Sequence, residues 1–382
     1  MKINVTRTSM PAFEEYCEQI RPLWDSHMLT NMGPQHAELE DSLRSFLGCP
    51  ITLFSNGHLA LEAALRALDL KPGCKIVTSP FTFASTVHAV ARLGFEPVFC
   101  DVLASDGTMD PAALEGLLGP DVGAVLPVHV YGNVCDVDAI GALAGSRGVP
   151  VVYDAAHAFG VSYRGVPVTR YGDMSVLSFH ATKVFSTVEG GAVCWSDPSL
   201  EQRLRDERNF GIRDEQLCAA PGGNAKMSEL HAAMGICNLR HFGEAVSARE
   251  ALAARYRTRL FPEDGPCGGG RSAVGGTRLL GPRAGTASNH SYMPVLLESP
   301  QRRDEVACAL EARGIHARKY FFPLVCDAPC YRHLRADVPV ARDLAVRAQQ
   351  ERGGVKVEVI AAVVFVRIPA QADKNLAQSR IA

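Results

Sequence analysis

No stretch of the 382 residues approaches the roughly 20 consecutive apolar residues that a membrane-spanning helix needs. The opening residues, MKINVTRTSMPAFEEYCEQI, lack the apolar centre of a secretory signal. Charge of one sign is also missing. The formal net charge is -2, which gives no reason to expect nucleic acid or an anionic membrane as partner. Cysteines are present, 12 of them, but none forms a C-x2-C pair. The tightest spacing is C-x3-C at Cys326 and Cys330. They read as small buried hydrophobes of a reducing compartment, with no metal site expected. These absences lead to the expectation of a cytoplasmic protein. With 47% hydrophobic and 21% charged residues, the chain has an ordinary globular composition and enough length for two lobes.

Several chemical signatures are missing too. There is no G-x-x-x-x-G-K-[ST], no G-x-G-x-x-G, no H-E-x-x-H and no G-x-S-x-G. P-loop, Rossmann dinucleotide, zinc-protease and α/β-hydrolase chemistry all lose support. No internal repeat is visible.

What is there is an alternation. Short apolar runs at 75–78, 97–100, 123–129, 149–153, 174–179 and 192–195 read as strands. Helical stretches lie between them, including HLALEAALRAL after Gly57, residues 86–93 and residues 136–147. Asp110 and Pro111 mark the start of a further short helix. Strand-helix alternation predicts an α/β domain with a mostly parallel sheet, whose function gathers at the carboxyl ends of the strands. His129, Asp154, His180 and Lys183 all follow apolar strands. From 198 to 260 the chain reads largely helical, with a break near Pro221. Residues 291–297 read as a strand and 302–313 as a helix. The expected division is a large domain over 1–244 and a small C-terminal domain over 245–382.

Three sets of residues then call for chemistry. SNGH at 55–58 opens a helix, where unpaired backbone N–H groups and the helix dipole favour an anion. Plain capping by Ser55 or Asn56 is the other reading. Asp154, in DAAHAFG, ends an apolar strand and needs a partner: a protonated ring nitrogen, or a structural salt bridge. Lys183 lies in SFHATKVFSTVEGGAV, among apolar and hydroxyl residues. A lysine so placed becomes a nucleophile able to form a Schiff base, although lysines are usually solvated surface. In chain order the three sets are the handles of pyridoxal 5'-phosphate (PLP).

The same residues carry a family resemblance. The chain is similar to the DegT/DnrJ/EryC1/StrS sugar aminotransferases. The similarity runs from MLTNMGPQHAELEDSLRSFLG (28–48) through SPFTFAST, VLPVHVYG, VVYDAAHAFG and SFHATKVFSTVEGGAV to NAKMSELHAAMG (224–235). It resumes more weakly at SNHSYMPVLL and RKYFFPL. The resemblance implies the fold of PLP-dependent transferases of fold type I: a large domain with a mostly parallel mixed sheet flanked by helices, and a small α+β domain. It implies that Lys183 holds PLP and shuttles a proton, with pyridoxamine 5'-phosphate appearing during turnover. Asp154 would keep the ring nitrogen protonated, His157 would sit near the ring hydroxyl and Phe83 would stack on the ring. Gly57, His58 and Ser178 would hold the phosphate. Asn224 would reach the phosphate of a partner subunit, which implies a homodimer with shared active sites. His180, Glu189 and Tyr320 are implied substrate contacts.

Two features refine the resemblance. His58 replaces the small hydroxyl residue commoner at its position, and Lys183 separates the chain from a dehydratase branch that carries histidine there. Glu189-Gly190-Gly191 and the FHATK sequence resemble enzymes that aminate C4 of a nucleotide-linked 4-keto-6-deoxy sugar, with dTDP the expected carrier and L-glutamate the donor. Amination at C3, or a catalytically idle PLP-binding regulator, are the alternatives. Arg208, Arg213 and Lys319 are unranked candidates for the sugar diphosphate. The tail, with VKVEVIAAVVFVRI, departs from relatives and reads as a strand pair or an altered end.

Overall fold

The computed structural model describes residues 3–4, 8–260 and 277–347. The tail reading and most of the glycine-rich stretch 265–285 lie outside the described residues. The central strands, in chain order, are β1 (Ile51–Phe54), β2 (Lys75–Thr78), β3 (Glu96–Phe99), β4 (Val122–Leu126), β5 (Val152–Asp154), β6 (Met174–Ser178) and β7 (Gly191–Trp195). In space they run β1-β7-β6-β5 and β4-β2-β3. Parallel bridges Val125 to Val151 and Val128 to Asp154 join the two groups into one sheet. Only β7 runs against its neighbours, β1 and β6; the other pairings are parallel.

This topology sends the carboxyl ends of β1, β2, β4, β5 and β6 to one edge. The start of β7 joins them there because it is the antiparallel strand. Helix Gly57–Ala67 covers one face with Ala60, Leu61, Ala63, Ala64 and Leu65 buried. Helix Pro34–Leu47 covers the other with Leu39, Leu43 and Leu47, packed in one cluster with Ile51, Leu53 and Val125. Both helices therefore owe their place to an apolar stripe with helical period. Asp110 caps the helix Pro111–Glu115 through Ala112 N–H, as its sequence predicts.

Two sequence expectations need correction. Residues 209–228 are not helical; helices occupy Ser199–Arg208, Glu229–Arg240 and Phe242–Leu260. The intervening chain folds back through bridges Asn209 to Asn224 and Ile212 to Cys218. Arg213 clamps it to Asp206 with two hydrogen bonds of 2.7 and 3.2 Å. Tertiary pairing has overridden helix propensity here. The strand expected over 291–297 is reduced to Val295–Leu296, paired with Arg278–Leu279. The helix expected at 302–313 is present as Pro300–Glu311, with Ser299 accepting from Arg302 N–H.

The C-terminal elements have a small core of their own, made of Ala253, Leu260, Leu279, Met293, Leu297, Val306 and Leu310. A second cluster mixes Phe81 and Val87 of the large sheet region with Phe321, Leu324 and Leu344. That shared cluster seats the 318–325 segment over the edge where the strands end.

Candidate active site

A cavity of about 420 Å³ opens at the carboxyl edge of the sheet. Gly57, His58, Phe83, Asp154, His157, Ser178, His180, Lys183, Glu189 and Tyr320 all line it. Ten residues from five separate stretches of sequence thus meet in one place. Asn224 is not among the lining residues; its side chain is on the exterior, accepting from Lys226 Nζ at 2.7 Å. His129 also stays out of the cavity. Its ring stacks on Tyr153, with centroids 4.6 Å apart, and its Nδ1 accepts from Cys135 N–H.

Lys183 stands in the loop joining β6 to β7. Phe179 N–H donates to Gly190 O, Thr187 N–H to Phe179 O, and Ala181 N–H to Val188 O, so the loop is laced across its width. Phe179 and Phe185 are buried against Phe159, with the Phe159 and Phe185 rings stacked 4.3 Å apart. These aromatic anchors fix the loop on both sides of the lysine. Lys183 is left partly exposed to the cavity alone, and burial pulls its amine below the ordinary lysine value, against the attraction of Asp154 and Tyr320. A lowered amine is a better nucleophile and base near neutrality.

Asp154 is buried at the end of β5. Thr86 Oγ1 donates to its Oδ2 at 2.7 Å, and Ala156 N–H to its Oδ1 at 3.0 Å. Thr86 is itself paired with Thr82, Oγ1 to Oγ1, at 2.8 Å. Burial raises the carboxyl above its usual value, while Thr86, Ala156 and the Lys183 charge oppose the rise. A buried carboxylate with an open face toward a cavity is suited to a cationic partner there.

His157 has a defined tautomer. Tyr131 N–H donates to its Nδ1 at 3.0 Å, and burial, with the charge of Lys183, holds the ring well below its ordinary value. The imidazole is therefore neutral with its proton on Nε2, a hydrogen-bond donor. Asn289 holds the following turn in place by donating to His157 O and Phe159 O. Tyr292 and Phe321 flank the His157 ring, with centroids 4.6 and 6.1 Å away.

At the opposite end, two glycines allow the backbone to close up. A Cβ on Gly57 would lie 2.9 Å from Ser178 Cβ, and one on Gly191 would lie 2.6 Å from Asn56 C and Gly57 N. The start of helix Gly57–Ala67, the end of β6 and the start of β7 can meet only because side chains are missing there. Asn56 caps the helix by accepting from Leu59 N–H. Gly57 and His58, in the first helical turn, line the cavity, and a helix start of this kind suits an anion.

Phe83 is 62% exposed and lies at the cavity wall, N-terminal to helix Ala84–Arg92. His180 and Glu189 approach at 3.5 Å on the rim, and Tyr320 carries a hydrogen bond from Arg318 at 3.1 Å. Sequence reasoning did not single out Thr82, Ser85, Thr86, Tyr292 or Arg318, all of which line the cavity. For the first three a signal existed: hydroxyls in SPFTFAST on one side of a helix start. Arg208, Arg213 and Lys319 are spent on Glu40, Asp206 and Asp304 and line no part of the cavity.

Comparison with known proteins agrees with this geometry. The model of the DegT/DnrJ/EryC1/StrS aminotransferase family matches residues 12–350. A dTDP-4-amino-4,6-dideoxy-D-glucose transaminase of Shigella dysenteriae is 38% identical over 90% of this chain and 91% of its own length. The Escherichia coli protein of the same name is 36% identical over 90% and 91%. Among solved structures, DesI in the presence of its TDP-sugar product is 31% identical, with a TM-score of 0.80 over 90% of this chain and 86% of that one. A fold with PLP-dependent relatives, a desolvated lysine facing a buried aspartate, and a match along nearly the whole length lead to one conclusion: the chain belongs to the DegT/DnrJ/EryC1/StrS aminotransferase family.

Proposed function

We propose that this enzyme moves an amino group from L-glutamate to a nucleotide-linked 4-keto-6-deoxy sugar, with dTDP as the carrier, giving a 4-amino-4,6-dideoxy sugar nucleotide. The observation that carries the reading is the convergence of Lys183, Asp154 and the Gly57–Ser178 contact on one cavity. The names of the two relatives above support the choice of C4 and of dTDP.

The residues fit PLP. The glycine-lined helix start suits a phosphate, the Asp154 carboxylate suits a protonated ring nitrogen, and Lys183 Nζ suits an aldehyde. When bound, PLP supplies an electron-withdrawing ring that stabilises negative charge at the donor carbon. Lys183 Nζ would hold and return the proton at that carbon, since its lowered amine exchanges protons readily. Asp154 Oδ1 and Oδ2, already fixed by Ala156 and Thr86, would keep the ring cationic. His157 Nε2–H would donate to the ring hydroxyl, and Phe83 would cover a ring face. Gly57, His58 and Ser178 would hold the phosphate; His180, Glu189 and Tyr320 would meet the sugar.

Homodimerisation belongs to the same reading. Asn224, exterior in a single chain, would serve the phosphate site of a partner subunit. The small domain is taken to begin near 245, within helix Phe242–Leu260. The test is spectroscopic. Purified protein with PLP should show a visible band that fades on adding L-glutamate as the amine form appears, and the band should return on adding dTDP-4-keto-6-deoxyglucose. NMR of the product should place nitrogen at C4. A product aminated at C3 would overturn the regiochemistry, and a band indifferent to every amino donor would overturn the catalytic reading.

A further inference from the structure

Two helices begin at the phosphate end of the cavity, and a chain of polar side chains runs between them. His58 and Glu62 lie one turn apart on Gly57–Ala67; Ser85, His88 and Arg92 follow one stripe of Ala84–Arg92. His58 Nδ1 is 2.9 Å from Ser85 Oγ, and its Nε2 is 3.2 Å from Glu62 Oε1. Arg92 Nε donates to that same oxygen at 2.6 Å. His58 and Ser85 line the cavity, while Glu62 lies buried behind them.

The chemistry of these groups sets the direction of every proton. A carboxylate paired with arginine can only accept, so a neutral His58 must carry its proton on Nε2. Its Nδ1 is then bare, and Ser85 must give it the single hydroxyl proton. In that state Ser85 turns only lone pairs toward the cavity, which disfavours an anion. A protonated His58 reverses the bond. Nδ1–H donates to Ser85 Oγ, and the hydroxyl proton is released to point at an anion.

We propose that Ser85, His58 and Glu62 form a proton-operated donor for the cofactor phosphate, so that phosphate binding is coupled to protonation of His58. The proposal rests on the PLP reading above. It makes His58 a positioning residue that acts through Ser85, in place of a residue that touches the phosphate directly. Glu62 favours the cation; His88 and Arg92, from the facing helix, oppose it. His88 is bonded to Tyr331 of the C-terminal region, and burial, then the charges of His58 and Arg92, hold it below its ordinary value. Glu207, on Ser199–Arg208, is a further acid whose carboxyl is raised by burial and, in smaller part, by Asp206 and Glu62, against the charge of Arg66.

The experiment is calorimetric titration of the full-length apoprotein with PLP and, separately, with pyridoxal, in buffers of different ionisation enthalpy. At about pH 8, above the second ionisation near 6 of a phosphate monoester, the phosphate exchanges few protons of its own. Pyridoxal reports the protons exchanged at Lys183, so the difference between the two ligands isolates the phosphate end. The expected difference is an uptake of up to about one proton per PLP, with PLP affinity falling by up to about tenfold per pH unit on the alkaline side. Glu62→Gln should abolish the difference, because the introduced amide can donate to Nε2 and leave a neutral His58 with its proton on Nδ1. His58→Ala should abolish it too, since Ser85 then has no acceptor to serve. Equal proton counts for PLP and pyridoxal in the natural protein would overturn the inference alone, as would an undiminished difference in Glu62→Gln. Failure of either ligand to give the visible band would overturn the cofactor reading, and this inference with it.

Discussion

The two ends of the cavity control ionisation in different ways. At the ring end, Asp154, His157 and Lys183 are displaced from their ordinary values chiefly by burial, the acid upward and the two bases downward. Asp154 is held by Thr86 and Ala156, and His157 by Tyr131. At the phosphate end, His58 and Ser85 sit on helix starts beside open backbone N–H groups, tied to an arginine-paired acid. Desolvation poises one end and hydrogen-bond wiring poises the other. The reason is what each end must do. In the proposed function the ring end would exchange protons with substrate and would need groups whose charged forms are not over-stabilised. The phosphate end would hold an anion and would need donors.

The contrast can be broken first at Lys183. Lys183→Ala should lower turnover on the order of 10^2 to 10^4-fold, the usual worth of a positioned acid-base group, and remove the visible band. Steady-state kinetics with the absorption spectrum reads both; a fully active variant would end the mechanism. Gly57→Ala acts at the other end only. The new methyl would meet Ser178 Cβ at 2.9 Å, and overpacking of about 1–3 kcal/mol corresponds to roughly a 5- to 160-fold loss of PLP affinity. Turnover at saturating PLP should change far less than affinity does, which a PLP titration will show.

Thr86→Val sharpens the comparison at the ring end. It removes a hydrogen bond that lowers the Asp154 carboxyl, so that carboxyl rises further above 3.8. The group must be ionised to hold the ring, so the acid limb of the pH–rate profile should move to higher pH. An expected loss of about tenfold or less at neutral pH follows from a buried acceptor missing one donor. An unmoved acid limb would show that Thr86 does not tune Asp154. Cys326→Ala should have the smallest effect. Cys326 is buried outside both ends of the cavity, so the spectrum and turnover should stay unchanged, with thermal stability lowered by about 1 kcal/mol.

The site residues legible from sequence have a common property. Asp154 and Ser178 are the last residues of strands, Gly57 opens a helix, and Lys183 lies in a loop leaving a strand. Local pattern marks such positions, and the sheet topology brings strand ends together. Tyr292 and Arg318 had no such mark, and the hydroxyls of SPFTFAST did not say which of them would meet Asp154. Thr86 meets Asp154 across 68 positions of sequence, and Tyr292 meets His157 only because Asn289 ties its segment to the 157–159 turn. The stretch 209–228 departs from the helix expected on either side of the break at Pro221, because Asn209 and Asn224 pair as extended chain.

Alternating apolar runs, capping residues and the glycines beside Asn56 and Glu189 already dictated a parallel-type sheet with its chemistry at one edge, because those patterns depend on neighbours in the chain. Which hydroxyl steadies Asp154, which nitrogen of His157 carries the proton and which hydroxyl meets His58 depend on distant residues being brought within 3 Å of one another. Hydrogen bonds at that range are lost within an ångström or so of displacement, so only the packed tertiary structure could decide them.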